Sequence, residues 1–357
     1  MARPASAVTE QMTKPSSLRS HSNPDVIVIG AGVIGLSTAY ALLKSGRSVS
    51  VFERGLVGRG SASWASGGIL FPLHPADVSG KNLQLLKASL ATYQDWAKEL
   101  AETSGIDPQY LASGLDIRTQ AGEAQAWETL CSSLGYAFQS ENGKNTGDRE
   151  LFLSKVAQVR SPRLLRALKA AVLRLGGAIF QNTAVTGLCA SSGKLNGVKT
   201  ASGRHASELV VLCAGAWSSG LLPELPITPV RGQMLALRSE PGMLSSIVLK
   251  QRKYLVPRSD GIILAGSTLE QCGFDDSPTE PGRAELQSAA LALDSRCKSL
   301  PLVAHWSGLR PMPMTGQTMI EWSRQHENLL INVGQYRLGM TLAPASAADA
   351  LRQIEAL

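Results

Sequence analysis

The sequence lacks the short spacings from which metal sites and disulfide frameworks are built. Its five cysteines, at 131, 189, 213, 272 and 297, form no C-x-x-C and no close pair. That excludes a disulfide scaffold and a zinc knot, and fits a reducing, cytoplasmic compartment. The five histidines, at 21, 74, 205, 305 and 326, include no H-x-x-x-H pair, so no metal is expected. Concentrated charge is missing too. Lys+Arg 35 against Asp+Glu 28 gives +7, of which Arg3, Lys14 and Arg19 against Glu10 place +2 in the first 24 residues, leaving a mild +5. A nucleic-acid partner is therefore not expected. Aromatic residues are few, at 5%, but 44% hydrophobic and 18% charged residues exclude a disordered or collagen-like chain, and 357 residues suffice for two domains.

Long apolar runs are equally scarce. Residues 1–24 are rich in Ser, Pro and Thr and contain no apolar run of a secretory signal. They read as a disordered, solvated tail, with a targeting arm as the alternative. Val26 to Leu43 is an 18-residue stretch without a charge, the length at which a membrane span must be weighed. Here a β-branched run, Val26 to Ile29, is followed by glycines at 30, 32 and 35, which suits a strand, a tight turn and a buried helix instead. No transmembrane segment is expected.

Further along, Ser48 to Phe52 reads as a second strand, Gly55 to Gly68 as a Gly/Ser-rich loop, and residues 82–103 as an amphipathic helix. Ser161-Pro162 predicts another helix start, with Ser161 as N-cap, a stripe of Leu164, Leu165, Leu168, Val172 and Leu175, and Gly176-Gly177 as its end. Short strands with turns at Ser192-Gly193, Asn196-Gly197 and Ser202-Gly203 fill 178 to 213, and more strands fill 227 to 267. A helix near 283–300 leads to a strand toward Leu309. The strand Leu329 to Val333, a turn at Gly334 and a helix over 339–356 close the chain.

The chemistry begins at Gly30-Ala-Gly32-Val-Ile-Gly35, which follows a strand and opens a helix, with Glu53 at the end of the next strand. Gly30 makes the turn, Gly32 leaves room for a pyrophosphate, and Gly35 lets helix and strand pack closely, while the helix N-terminus attracts phosphate. Glu53 suits the ribose hydroxyls and disfavours a 2′-phosphate, which argues against NADP. FAD and NAD both remain open on these residues alone. The loop Arg54 to Gly68 can pass close to an extended ligand, though taken alone it is equally a mobile surface loop. Leu209 to Ser218 reads as an apolar strand ending in small residues, including Ala214, Gly215 and Trp217, where a third parallel strand would run beneath a cofactor; a plain core strand with a turn reads the same way.

The motifs GAGVIG with Glu53, SASWASGGIL (61–70), SGIDP (104–108), CAGAWS (213–218), PVRGQM (229–234), GLRPMP (308–313) and GQYRLGMTLAP (334–344) occur in order. Together they resemble the FAD-dependent glycine oxidase and D-amino-acid oxidase family, closest to the glycine oxidases of thiamine biosynthesis. The resemblance runs from about Asp25 to the C-terminus. It implies an α/β fold, with a Rossmann-like FAD-binding domain assembled from discontinuous segments (25–80, 151–225 and 320–357) and a mixed-sheet substrate domain (81–150 and 226–319). It implies FAD contacts at Val33 and Ile34, Glu53 and Arg54, Ala62 and Ser63, Gly67, Gly68 and Ile69, Val185, and the stretch Gln335, Tyr336, Arg337, Leu338, Gly339, Met340 and Thr341. Arg310, Arg337 and Tyr254 fall where the family binds the substrate carboxylate.

A guanidinium is the natural holder of a carboxylate, through two parallel hydrogen bonds. Without the family, Arg310 would read equally as half of a structural ion pair and Tyr254 as an ordinary strand aromatic. The implied reaction is hydride transfer from the α-carbon of a small amino acid or amine to flavin, hydrolysis of the imine to a keto acid and ammonia, and reoxidation by dioxygen with release of hydrogen peroxide. It needs positioning more than a side-chain base, so no general base is named. Gln335 and Leu338 depart from the His and Asn frequent in the family, and Ile69 and Leu269 are expected to line the pocket. The segment Met312 to Thr318 has no cysteine, so noncovalent FAD is expected, unlike related sarcosine oxidases. The alternatives are a dehydrogenase passing electrons to a quinone or partner subunit, an FAD-dependent tRNA-modification module, and a flavin-binding protein without catalysis. A homo-oligomer is left open.

Overall fold

The computed structural model describes residues 23–78, 80–120, 122–143 and 148–357. Apart from Asn23 and Pro24, the expected tail lies outside the described residues. The apolar run at the start of the chain folds as the strand Val26–Ile29 and the helix Val33–Lys44, both largely buried. The strand is buried on both faces: Val26 and Val28 face one apolar core, Ile27 and Ile29 another. Such unbroken hydrophobicity marks a strand in the middle of a parallel sheet.

That sheet has six strands, in the order Met319–Trp322, Leu329–Val333, Leu209–Leu212, Val26–Ile29, Val49–Phe52 and Ala178–Phe180, parallel except for the first. The helices Val33–Lys44, Gly80–Ser104, Ser161–Arg174 and Gly339–Glu355 share the core on one side of it. On the other side Leu195 and Val198, from a three-stranded antiparallel sheet, pack against Ile27 and Val210. An eight-stranded sheet stands apart, running from Leu302–Pro313 at one edge through Ile227–Arg238 to Gln139–Asn142 at the other. The helix Glu280–Leu293 covers one face of it through Leu286, Ala290 and Leu293. The α/β architecture expected from the sequence, with one Rossmann-like sheet and one mixed sheet, is the observed one.

Several local expectations are corrected. Ser161 is the first residue of its helix rather than the N-cap, which is Arg160; the Ser161 hydroxyl instead donates to the Ser66 carbonyl at 2.9 Å. Leu175 lies beyond that helix and is exposed, because Gly176 turns the chain at positive φ before the stripe can continue. Asn196-Gly197 is no turn. It lies inside the strand Lys194–Thr200 as a bulge, where Gly197 at φ +139° lets the backbone pass the His205 carbonyl. The helix near 283–300 is two pieces, Glu280–Leu293 and a short 3-10 turn, Ser295–Ser299, with Asp294 capping the turn at the Arg296 N–H. The strand toward Leu309 runs on to Pro313, so Arg310 lies within it rather than at its end. Two segments cross the expected domain limits: Gly80–Ser104 packs into the core of the six-stranded sheet, and the strand Arg149–Leu153 belongs wholly to the eight-stranded one.

Candidate active site

A cavity of about 670 Å³ lies where the two large sheets meet, lined by residues from Ile29 to Met340. Its floor is the first strand–turn–helix unit. Gly30, at φ +101°, turns the chain so tightly that a Cβ there would strike the Cys213 carbonyl, and Gly35 has no room for one against the Gly30 carbonyl. Only glycine meets both conditions. Gly32 is the N-cap of the helix and offers no side-chain cap, the first turn holds no acidic residue, and the Val33 N–H is held by Ser63 Oγ at 3.0 Å. Glu53 accepts from the Ala31 N–H at 2.8 Å through one carboxylate oxygen and from the Gly55 N–H at 3.0 Å through the other. It thus fixes the turn as well as facing the cavity.

One side wall is the loop that the sequence left between a ligand wall and a mobile surface loop. It is pinned along its length. Ser61 caps the short helix Ala62–Ala65, which lies on Gly308 so closely that a Cβ there would meet the Ala65 Cβ at 2.7 Å, and Trp306 donates to the Ala65 carbonyl at 3.2 Å. Arg258 donates to the Gly67 carbonyl at 2.8 Å, Val159 N–H to the Gly68 carbonyl at 2.9 Å, and Thr341 Oγ1 to the Ile69 carbonyl at 3.3 Å. Near the rim, Arg54 lies 3.8 Å over the Trp217 ring, which in turn meets Phe274.

The opposite end gathers two guanidiniums, Arg310 from a strand of the eight-stranded sheet and Arg337 from the turn between the strand Leu329–Val333 and the last helix. Arg310 lies across Gly232 of the neighbouring strand, Nη2 donating to Ser267 Oγ at 2.8 Å and Nη1 to the Thr268 and Arg231 carbonyls at 3.2 and 3.4 Å. Two of its five N–H donors, on Nε and Nη2, stay outside these bonds. Burial first, then repulsion from Arg337, pushes its pKa below the ordinary value. Arg337 Nε and Nη1 are buried with no hydrogen-bond partner. Neither guanidinium pairs with a carboxylate among the described residues. Two half-buried cations without a carboxylate partner, facing one cavity, favour an anion there. Beside them Tyr254 is wedged between Gly67 and Gly266, its hydroxyl donating to Met234 Sδ at 3.1 Å.

The cavity brings together nearly all the residues singled out by sequence. Gly30, Gly32, Val33, Ile34, Glu53 and Arg54 line it, as do Ala62, Ser63, Gly67, Gly68 and Ile69. So do Val185, Ala214, Gly215 and Trp217, and at the far end Tyr254, Arg310, Gln335, Tyr336, Arg337, Gly339 and Met340. Four expectations fall outside it. Gly35 packs behind the turn, Leu338 is buried in the core behind the wall, and Thr341 points to the Ile69 carbonyl. Leu269 is 55% exposed and lines no part of it, because the chain turns it outward where Thr268 and Glu270 bond back to the strand Ile227–Arg238.

Sequence reasoning missed Gly232, Ser267 and Thr268, which seat Arg310, and Phe71, Leu73 and Met234, which make an apolar wall. Only the register that sets Gly232 opposite Gly308 and Val230 opposite Arg310 reveals the seat. No group of three His, Cys, Asp or Glu among the described residues is arranged to hold a metal ion, and no helix of them is long and apolar enough to cross a membrane.

Comparison with known proteins gives the same direction. Residues 25–352 match the DAO family, described as FAD dependent oxidoreductase. The chain is 39% identical over 336 residues to the glycine oxidase of Pseudomonas putida, covering 90% of this chain and 92% of that one. It is 31% identical over 347 residues to the bifunctional protein ThiO/ThiG of a Nostoc species, covering 91% of this chain and 51% of that longer one. Among solved structures, glycine oxidase from Geobacillus kaustophilus superposes with a TM-score of 0.86 at 26% identity, over 94% of this chain and 95% of that one.

Proposed function

We infer, for a chain that belongs to the DAO family of FAD-dependent oxidoreductases, the oxidative deamination of glycine or another small amino acid. The products are an imine, hydrolysed to a keto acid and ammonia, and hydrogen peroxide from dioxygen. The observation that carries this reading is the pair of half-buried guanidiniums, Arg310 and Arg337, facing one cavity without a carboxylate partner among the described residues. The cavity fits FAD by its own features: a glycine turn that no side chain can enter, a helix N-terminus with no acidic residue in its first turn, and Glu53 on the wall. Bound there, FAD supplies the two-electron acceptor for a hydride leaving the substrate α-carbon.

The chain's residues do the positioning. The free edge of Arg310 takes the substrate carboxylate in two parallel hydrogen bonds, and Arg337 adds a second positive charge. Tyr254, Met234, Phe71 and Ile69 close the site against water and leave room for a small side chain. Neither histidine nor lysine lines the cavity among the described residues. The carboxylates that line it are Glu53, engaged by the Ala31 and Gly55 N–H groups, and Asp276; the reading assigns no side-chain base, in keeping with a reaction driven by alignment over the acceptor. At the start of the helix Gly339–Glu355, the N-terminal dipole favours negative charge at the edge of the site.

The relatives at 39% and 38% identity, both named glycine oxidase, support an oxidase over a dehydrogenase or a tRNA-modification module. FAD held without a covalent bond and a cytoplasmic location belong to the same reading; five free cysteines support the latter.

The test is an anaerobic titration of the bound flavin's absorbance with glycine, sarcosine, D-alanine, D-proline and an L-amino acid, followed by air. Bleaching by a small amino acid, with prompt recovery and peroxide, is the expected result. A flavin that never bleaches overturns the reading. Arg310→Ala should lower kcat/KM by about ten- to a hundredfold, the ~1.5–3 kcal/mol of a charge-assisted hydrogen bond.

A further inference from the structure

Gly232 and Met234 line the cavity, so Arg231 and Gln233, one residue out of phase on the same strand, point to the other face of the sheet. There they meet Glu270. Its carboxylate accepts from Arg231 Nη2 at 2.6 Å and Nε at 3.2 Å through one oxygen, and from Gln233 Nε2 at 2.7 Å and Thr268 Oγ1 at 2.5 Å through the other. The backbones are tied as well, Arg231 N–H to the Glu270 carbonyl at 2.9 Å and Glu270 N–H to the Arg231 carbonyl at 3.0 Å. Arg231 is 5% exposed and also pairs with Asp275 at 2.8 Å. Two carboxylates thus meet one guanidinium, and the cluster keeps one negative charge.

Every acceptor that seats Arg310 belongs to this cluster or adjoins it: the Arg231 carbonyl, the Thr268 carbonyl and the Ser267 hydroxyl. The Glu270 carboxylate holds Thr268 through its hydroxyl and Arg231 through its guanidinium, so it fixes both carbonyls from the far side of the strand. We propose that Glu270 is a positioning residue for carboxylate recognition, seating Arg310 through Thr268 and Arg231 and setting a negative charge behind that seat. This rests on the reading of Arg310 as the group that takes the substrate carboxylate.

The device separates two demands on one guanidinium. A carboxylate in direct contact with Arg310 would occupy the donors that substrate needs. Set one layer back, Glu270 offsets the charge and fixes the orientation, leaving Nε–H and one Nη2–H for the ligand. Its own carboxyl is pulled up by partial burial, but hydrogen bonds from Thr268, Arg231 and Gln233 outweigh this and hold it below the ordinary range. It therefore carries its charge throughout the neutral range.

The test uses the flavin-loaded protein, with acetate as a non-oxidisable carboxylate whose binding is read from the flavin difference spectrum and glycine as substrate. Glu270→Gln should raise the Kd for acetate and the KM for glycine together by about three- to thirtyfold. Its kcat should change less than KM, at an unchanged flavin-to-protein ratio. Glu270→Asp, which keeps the charge, should recover part of both. Wild-type values of Kd and KM in Glu270→Gln overturn the proposal, and so does a parallel loss of kcat and flavin in both variants, the mark of a structural staple. Wild-type protein that neither binds acetate nor oxidises glycine would overturn the functional reading itself, and the proposal with it.

Discussion

The guanidinium of Arg310 lies over the Cα of Gly232 on the adjacent strand, so close that a Cβ at 232 would collide with Nη1, Nη2 and Cζ. The φ of Gly232 is not in the left-handed region, so what requires glycine there is the arginine rather than the backbone. Gly232→Ala is expected to leave the fold and flavin content intact and to displace Arg310. Steady-state kinetics should then show kcat/KM for glycine falling about tenfold or more, in the range of a lost charge-assisted hydrogen bond of ~1.5–3 kcal/mol.

Glu53 joins the glycine turn to the cavity wall through its bonds to Ala31 and Gly55. Glu53→Ala should therefore weaken FAD binding both by loosening the turn and by removing a hydrogen-bond acceptor. Titration of apoprotein with FAD, followed by flavin fluorescence, should give a Kd raised by at least about tenfold. An unchanged Kd would remove Glu53 from the cofactor site.

Arg258 is buried and bonded to Gln158 Oε1, the Val159 carbonyl and the Gly67 carbonyl. Burial first, then Arg160, lowers its pKa to about 10, so at neutral pH it remains a cation held largely by neutral acceptors. Arg258→Met leaves those acceptors unsatisfied. The Tm should drop by about 5 °C, from ~1–3 kcal/mol per orphaned group, with weaker retention of flavin because Gly67 is released.

Leu269 was expected to line the pocket and instead faces solvent. Leu269→Ala should change KM for glycine by less than about twofold, as for surface positions generally. A larger effect would mean that the segment after Thr268 folds inward when substrate binds.

Asp25 is held below the ordinary carboxylate value by the Ser48 N–H and then the Ser48 hydroxyl, and Asp294 by Arg296. Glu270 is likewise lowered. A carboxyl whose pKa is depressed in the folded state stabilises it fully above the unfolded value, ~4, and loses that contribution as pH falls through the folded value. Thermal melts should therefore be insensitive to these groups from pH 8 to about pH 5, with Tm falling steeply below about pH 4.

The glycine turn, its strand and helix, and Glu53 were legible because one short segment carries the whole device and its periodicity shows it. Arg310 stood out as a residue but not as a site. Its seat is made by Gly232 across a strand pair and by Ser267 and Thr268 from a loop some forty residues away in sequence, a conjunction that only strand register creates. The Asn196-Gly197 turn failed for the complementary reason. Asn-Gly marks a positive φ, which the structure confirms at Gly197, but a bulge and a turn require the same local signal and pairing with Val185–Ser191 decides between them. The stripe ending at Leu175 overran its helix because hydrophobic spacing does not record where a glycine has already turned the chain away.

The cavity wall includes both Gly30 and Met340, and the strand Leu329–Val333 is the neighbour that Leu209–Leu212 needs on its far side. A ribosome adding ~5–20 residues per second exposes the glycine turn long before it delivers the wall that closes over it. The complete cavity exists only once the last strand and helix are in place, and a chain truncated before Leu329 is expected to purify without flavin colour.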